Sequence, residues 1–231
     1  DPEMSRGLGD VYKRQVWTEA ELRAIADICY DEKVLVFSDE IHADLTLPPH
    51  THRPFATVSE KARMNSVTFM SPSKAFNMPG LSASHALIFN EDLRKRFRIY
   101  MDAGELDMGH VFAFLSVEAA YSHGTEWLDQ CLAYIQGNID FVDEFLKKHA
   151  PKIKAIRPEA SYLVWLDCRE LELSQKDLNE FFVDKAHLAL NDGEMFGKEG
   201  IGFMRLNVAS PRCIIEKAMK QLADAYQLYI K

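Results

Sequence analysis

A chain of 231 residues, 47% hydrophobic and 27% charged, has enough apolar content for a sizeable core in one large or two small domains. Its net charge of −8, with no basic block, argues against a nucleic-acid partner. No apolar run approaches membrane-spanning length, and the amino-terminal stretch lacks a signal peptide's apolar core. Cys29, Cys131, Cys168 and Cys213 fall at no metal-binding or redox spacing, so reduced, mostly buried thiols of a cytoplasmic protein are expected.

Residues 1–15 carry no clear periodicity and are out of character with the rest of the chain. Thr18 and Glu21 form a capping box opening a helix to about residue 31, with Leu22, Ile25, Ala26 and Cys29 on its apolar face. Val34, Leu35, Val36 and Phe37 make a continuous apolar run of the kind a buried strand shows, ending in Ser38-Asp39-Glu40-Ile41-His42. A loop rich in proline and histidine spans 46–54. His50 and His52 in it are too few for a closed metal site, so no metal and a solvated loop are expected. A short β-type run over 66–70 leads into Ser71-Pro72-Ser73-Lys74-Ala75-Phe76-Asn77, closed by Pro79-Gly80. Residues 86–89 read as a third strand, and Asn90 caps a helix over 93–101.

Residues 111–121 form a strongly apolar helical candidate, ended by His123-Gly124. Thr125 then caps a long amphipathic helix to about residue 148, with Pro151 beyond. After it come strands at 153–156 and 162–166, and a helix from Ser174 to about 186. A short strand at 188–190, a strand at 203–208 and a last helix begun by Ser210-Pro211 complete the chain. Tyr121 and Trp165 sit at apolar positions and are expected in the core. Strands alternating with helices throughout predict an α/β architecture.

A lysine just past an apolar strand, flanked by small hydroxyl residues, fits two readings. It is either an ordinary surface lysine at a strand-to-loop junction or an amine kept partly out of water. Desolvation lowers its proton affinity, and the neutral amine can then form a Schiff base. Carboxylates at the carboxyl end of a buried strand sit where open α/β sheets bind ligands. In one parallel sheet Asp39 and Lys74 would face the same crevice, and a buried Asp39 would need a cationic or hydrogen-bonding partner.

The pair Ser38-Asp39-Glu40-Ile41-His42 and Ser71-Pro72-Ser73-Lys74-Ala75-Phe76-Asn77 resembles fold-type I pyridoxal-phosphate enzymes of the class I/II aminotransferase superfamily. The closer resemblance is to the MalY/PatB branch of cystathionine β-lyase-like C–S lyases. Glu159-Ala160-Ser161-Tyr162-Leu163-Val164-Trp165-Leu166-Asp167 and Phe203-Met204-Arg205-Leu206-Asn207-Val208-Ala209-Ser210-Pro211-Arg212 resemble later blocks of that branch, in order. The resemblance implies the carboxyl-terminal part of the aspartate aminotransferase-like fold. Residues 16–124 would form a partial large cofactor-binding domain, and 125–231 a bridging helix with a small α/β domain. An asparagine–proline turn is absent before Val16, so residues 1–15 are expected to be a non-native or disordered leader on an amino-terminally truncated chain.

By the same resemblance, Lys74 holds the aldehyde of pyridoxal 5'-phosphate and later moves the substrate α-proton. Asp39 pairs with the pyridine nitrogen, His42 with the ring oxygen, and Ser71 and Ser73 with the phosphate. The arginine many aminotransferases place eight residues after the lysine is here Ser82, a departure that favours the lyase branch. Arg205 would grip the substrate α-carboxylate through two parallel hydrogen bonds. The implied function is carbon–sulfur β-elimination from a small sulfur amino acid, giving thiol, pyruvate and ammonia, in a homodimer without nucleic-acid or membrane partners. The alternatives are a class I/II aminotransferase or, in another class, a catalytically inactive fragment or protein-binding regulator.

Overall fold

The computed structural model describes residues 15–106, 109 and 111–229, so the expected leader lies outside the described residues except for Gln15. Over these residues the chain divides into two compact units, Gln15–Gln130 and 131–229.

The first unit opens with α1, Glu19–Asp31. Glu21 N–H donates to Thr18 Oγ1 at 3.3 Å and Thr18 N–H donates to the Glu21 carboxylate at 2.8 Å, the reciprocal cap expected at this place. Leu22 and Ala26, one turn apart, are buried against Phe55, Val58 and Ala62. Ala62 belongs to α2, Glu60–Met64, capped by Ser59. This helix was not expected, because five residues are too few to display helical periodicity.

Strands β1 (Val36–Asp39), β2 (Ser66–Met70) and β3 (His85–Leu87) form a sheet in that order. β1 and β2 run parallel, with Val36 opposite Ser66 and Asp39 opposite Phe69, while β3 is antiparallel to β2. The apolar run 34–37 is not the buried strand expected. The strand begins at Val36, and Val34 and Phe37 are 53% and 61% exposed. β1 is an edge strand among the described residues, whereas Ser66, Val67 and Thr68 of the central strand are buried.

Helix α3, Glu91–Ala103, starts where Asn90 Oδ1 accepts the N–H groups of Asp92 and Leu93, at 3.0 and 3.1 Å. Helix α4, Val111–His123, buries only Ala113 among its residues, and Val111, Phe112, Phe114 and Leu115 are exposed. Tyr121 is 39% exposed and thus not the core residue expected. Helix α5, Thr125–His149, carries the chain into the second unit.

There β4 (Lys154–Ile156), β5 (Leu163–Asp167), β6 (Asn191–Asp192) and β7 (Phe203–Asn207) form an antiparallel sheet ordered β4-β5-β7-β6. Ile135, Ile139, Val142 and Leu146, spaced for one face of α5, are buried, as are Val164, Trp165 and Leu166 of β5. Residues 188–190 are not the strand expected. The pairing falls instead on β6, where Asn191 lies opposite Arg205. The helix capped by Ser174, α6 (Gln175–Glu180), runs on as a single π turn over Phe181–Lys185. Gly193 and Gly200 let two backbones meet so closely that a Cβ on either would strike the other's carbonyl.

The last helix, α7 (Arg212–Tyr229), buries Ile215, Met219 and Leu222. Asn138, fully buried on α5, donates to the carbonyls of Val208 and Ser210 at 2.9 and 3.0 Å and accepts from Arg212 Nε at 2.8 Å. A buried amide with its donors and acceptor engaged ties three segments together. The cysteines are free, but only Cys168 is buried. Cys29 and Cys131 are half-buried and Cys213 is exposed. Burial pushes the Cys168 thiol well above its ordinary range.

At the end of β5, Asp167 accepts from Arg169 Nη2 at 2.7 Å, from its Nε at 2.9 Å and from its N–H at 3.1 Å. These bonds hold the Asp167 carboxyl below its ordinary range. A depressed carboxylate stabilises the fold above its unfolded pKa, about 3.9, and the gain is lost as pH falls through the lower folded value. Asp167→Asn is therefore expected to lower unfolding stability at neutral pH by about 0.2–1 kcal/mol, the range for a screened pair. Denaturant titrations are expected to show that gap closing in acid.

Candidate functional site

Because β1 and β2 are parallel, their carboxyl ends open on the same side of the sheet. β1 ends at Asp39, and β2 ends at Met70, just before the turn that carries Lys74. The turn is closed by Phe76 N–H donating to the Pro72 carbonyl at 2.9 Å and Met78 N–H to the Ser73 carbonyl at 3.0 Å. Its inner side buries Ser71, Pro72 and Ala75, which leaves Lys74 on the outside and exposed. The partial withdrawal from water weighed for this lysine is not found.

Asp39 is likewise exposed. Its Oδ1 accepts from Ile41 N–H at 3.2 Å, so it caps the turn leaving the strand while its second oxygen remains open among the described residues. His42 is half-buried and precedes a short helical turn, Ala43–Leu45.

Ser71 and Ser73 lie together but satisfy one another. Ser71 Oγ donates to the Ala83 carbonyl at 2.5 Å, accepts from Ser73 N–H at 3.1 Å and lies 2.6 Å from Ser73 Oγ. Ser73 Oγ also reaches Ala83 O at 3.4 Å. Ser71 is buried and Ser73 half-buried. The pair holds two hydroxyl protons, and both are used within the turn.

The most heavily bonded side chain here is Glu40, a residue not singled out from the sequence. Glu40 is 3% exposed. Its Oε1 accepts from Ser38 Oγ at 3.0 Å and from Phe55 N–H at 2.9 Å, and its Oε2 lies 2.6 Å from His52 Nε2. His52 is therefore a hydrogen-bond partner of Glu40 rather than a residue of a solvated loop. Strand alternation was the available signal. It places Ser38 and Glu40 on the face opposite Asp39.

An aromatic group flanks the lysine turn. Phe76 stacks on Trp127 at 6.1 Å and meets Tyr121 edge-on at 5.8 Å. The Tyr121 hydroxyl donates to Asp44 Oδ2 at 3.3 Å. Burial, then the Asp44 charge, raise this phenol to about 12.

In the second unit Arg205 lies on β7, half-buried. Its guanidinium stacks on Phe196 at 4.3 Å and Nη2 donates to Asn191 Oδ1 at 3.0 Å. Its Nε is buried with no hydrogen-bond partner among the described residues. Burial pulls its proton affinity down, opposed by Tyr162. A planar, desolvated guanidinium with an open N–H suits a carboxylate. Among the described residues, no group of three His, Cys, Asp or Glu is placed to hold a metal ion, and no helix is long and apolar enough to cross a membrane.

The family model for aminotransferase class I and II matches residues 15–222. The chain is 37% identical over 209 residues to cystathionine β-lyase PatB of Bacillus subtilis, covering 90% of this chain and 54% of that protein. It is 32% identical to protein MalY of Escherichia coli, covering 91% of this chain and 54% of that one. Cystalysin of Treponema denticola, whose crystal structure contains pyridoxal 5'-phosphate, superposes with a TM-score of 0.89 at 35% identity, over 93% of this chain and 54% of that one. The chain thus spans about half the length of the curated relatives it matches.

The Tyr121–Asp44 contact has a spectroscopic consequence. In a tyrosinate absorbance titration, the difference between the parent chain and Tyr121→Phe is expected to place Tyr121 at about 12. In Asp44→Asn, which removes the charge and leaves burial in place, that titration is expected to move towards the ordinary phenol value of about 10.

Proposed function

The chain belongs to the class I and II aminotransferase family, and from that membership we propose that it is part of a pyridoxal-phosphate-dependent carbon–sulfur β-lyase acting on L-cysteine-type amino acids. The supporting observation is the shared end of β1 and β2, which gives Asp39 and Lys74 the same side of the sheet. The exposed Lys74 amine is accessible to an incoming aldehyde, though without the desolvation that would favour its neutral form, and an open carboxylate oxygen on Asp39 suits a protonated pyridine nitrogen. The serines fit less well. Ser71 stays with the Ala83 carbonyl, and Ser73 is the hydroxyl that can turn towards a phosphate.

When bound, the cofactor supplies an electron sink for the pair left at the substrate α-carbon. The chain's residues do the rest. Lys74 would hold the aldehyde end of the cofactor, and its Nζ would be the base that takes the proton from the substrate Cα. Asp39 would keep a proton on the ring nitrogen, and His42 would hydrogen-bond the ring oxygen. Arg205, by the family resemblance, would bind the substrate carboxylate with two parallel hydrogen bonds. The overall change consumes one water: a cystathionine-type substrate becomes a thiol, pyruvate and ammonium. Ser82, where many aminotransferases carry an arginine, favours elimination over amino transfer. The same proposal includes a cytoplasmic setting, consistent with four free cysteines, and a second copy of the chain as partner.

Titration with pyridoxal 5'-phosphate is expected to give a visible absorbance band that Lys74→Ala abolishes. A colourless chain at saturating cofactor overturns the proposal. Incubation with cystathionine is expected to release pyruvate and thiol in equal amounts, whereas amino transfer to a keto acid without thiol overturns the lyase assignment. Arg205→Lys keeps the charge and loses the fork. A charged hydrogen bond is worth about 1.5–3 kcal/mol, so kcat/KM is expected to fall roughly 10- to 100-fold.

A further inference from the structure

Outside the residues given a role in the proposed chemistry, one buried charged cluster adjoins Asp39. Glu40 comes directly after Asp39 and points to the opposite face of the strand. Its carboxylate is surrounded by donors: Ser38 Oγ, Phe55 N–H and His52 Nε2. Its backbone is pinned as well. Glu40 N–H donates to the Phe69 carbonyl of β2 at 2.8 Å, and its own carbonyl accepts from Ala43 N–H at 2.9 Å. The residue is thus fixed to the neighbouring strand, to the turn after it and to the segment 52–55. A carboxylate this deeply buried is tolerable only when its acceptor sites are filled, and removing one donor leaves an uncompensated charge.

Asp39 has no such anchorage of its own. Its side chain is exposed, and among the described residues it bonds to Ile41 N–H alone. Consecutive residues of a strand share a peptide plane, so the orientation of Asp39 depends on the fixing of Glu40.

We propose that Glu40 and His52 form a buried brace that holds Asp39 in its turn, which makes them positioning residues for the contact between Asp39 and the cofactor ring. The cofactor half of this rests on the proposed lyase function. The half that concerns Asp39 stands on hydrogen bonds within the chain.

The test compares the parent chain with His52→Leu, which removes the donor, and His52→Gln, which restores one. Amide hydrogen exchange without cofactor reads the geometry directly. In His52→Leu, exchange at Phe55 and Ile41 is expected to accelerate roughly 10- to 100-fold, the equivalent of losing a hydrogen bond to a charged group. Amides of β2 are expected to keep their rates, and His52→Gln to recover most of the loss. Ser38→Ala, a milder change, is expected to move the same amides in the same direction and serves if His52→Leu does not fold. Unchanged exchange at Ile41 in both variants overturns the brace.

With pyridoxal 5'-phosphate added, His52→Leu is expected to bind about tenfold more weakly than the parent and to shift the visible band, with both restored in His52→Gln. A role in folding alone would lower the melting temperature and leave the band where it was. Parental affinity and spectrum in folded His52→Leu overturn the positioning role. A parent chain that takes up no cofactor while Ile41 responds as described sinks the proposed function and sustains the brace.

Discussion

The parallel pairing of β1 with β2 decides where the chemistry of the first unit can lie. With Asp39 opposite Phe69, the two strands finish at nearly the same level, and the chain leaves both at one edge. An antiparallel pair would have sent a carboxylate and an amine at their strands' carboxyl ends to opposite sides. The ladder continues one step past β1, through Glu40 N–H to the Phe69 carbonyl, so the register is held where the strand gives way to the turn. That step stabilises little by itself, since a net hydrogen bond contributes about 0.5–1.5 kcal/mol. Its value lies in fixing position.

Charge is divided around this edge in a consistent way. Glu40, which reacts with nothing in the proposed chemistry, is buried and surrounded by donors. Asp39 and Lys74, which would react, are exposed and sparingly bonded. The penalty for taking a carboxylate out of water is several kcal/mol, and only a full set of partners offsets it. A site that must accept incoming groups is better served by open valences resting on a satisfied foundation. Arg205 shows a mixed pattern. One face of its guanidinium is spent on Phe196 and one nitrogen on Asn191, while Nε is left over.

What the sequence disclosed was mostly local. The caps at Thr18, Asn90 and Ser174 appear where side-chain chemistry demanded them, because a cap involves residues within one turn. The face of α5 was legible from its spacing. Burial was less legible. Val34 and Phe37 have the composition of an inner strand, but composition cannot say whether a strand lies at an edge. Tyr121 looked like core, yet its hydroxyl reaches Asp44, 77 residues away in sequence. Of the six residues singled out for binding or chemistry, Lys74 and Asp39 come to one side of one sheet, and His42 lies in the next turn. Glu40 was missed because two of its three partners lie 12 and 15 residues off, in and just past a loop whose histidines looked idle.

The self-contained hydroxyl pair at Ser71 and Ser73 carries a consequence for how this turn meets a dianion. With both hydroxyl protons engaged, the turn leaves no desolvated donor and its shape is held by bonds within the chain. An arriving dianion would first have to draw the Ser73 proton away from the Ser71 hydroxyl. Forgoing one neutral bond worth about 0.5–1.5 kcal/mol weakens capture by roughly two- to tenfold. The turn trades a little grip for a rest state without frustration.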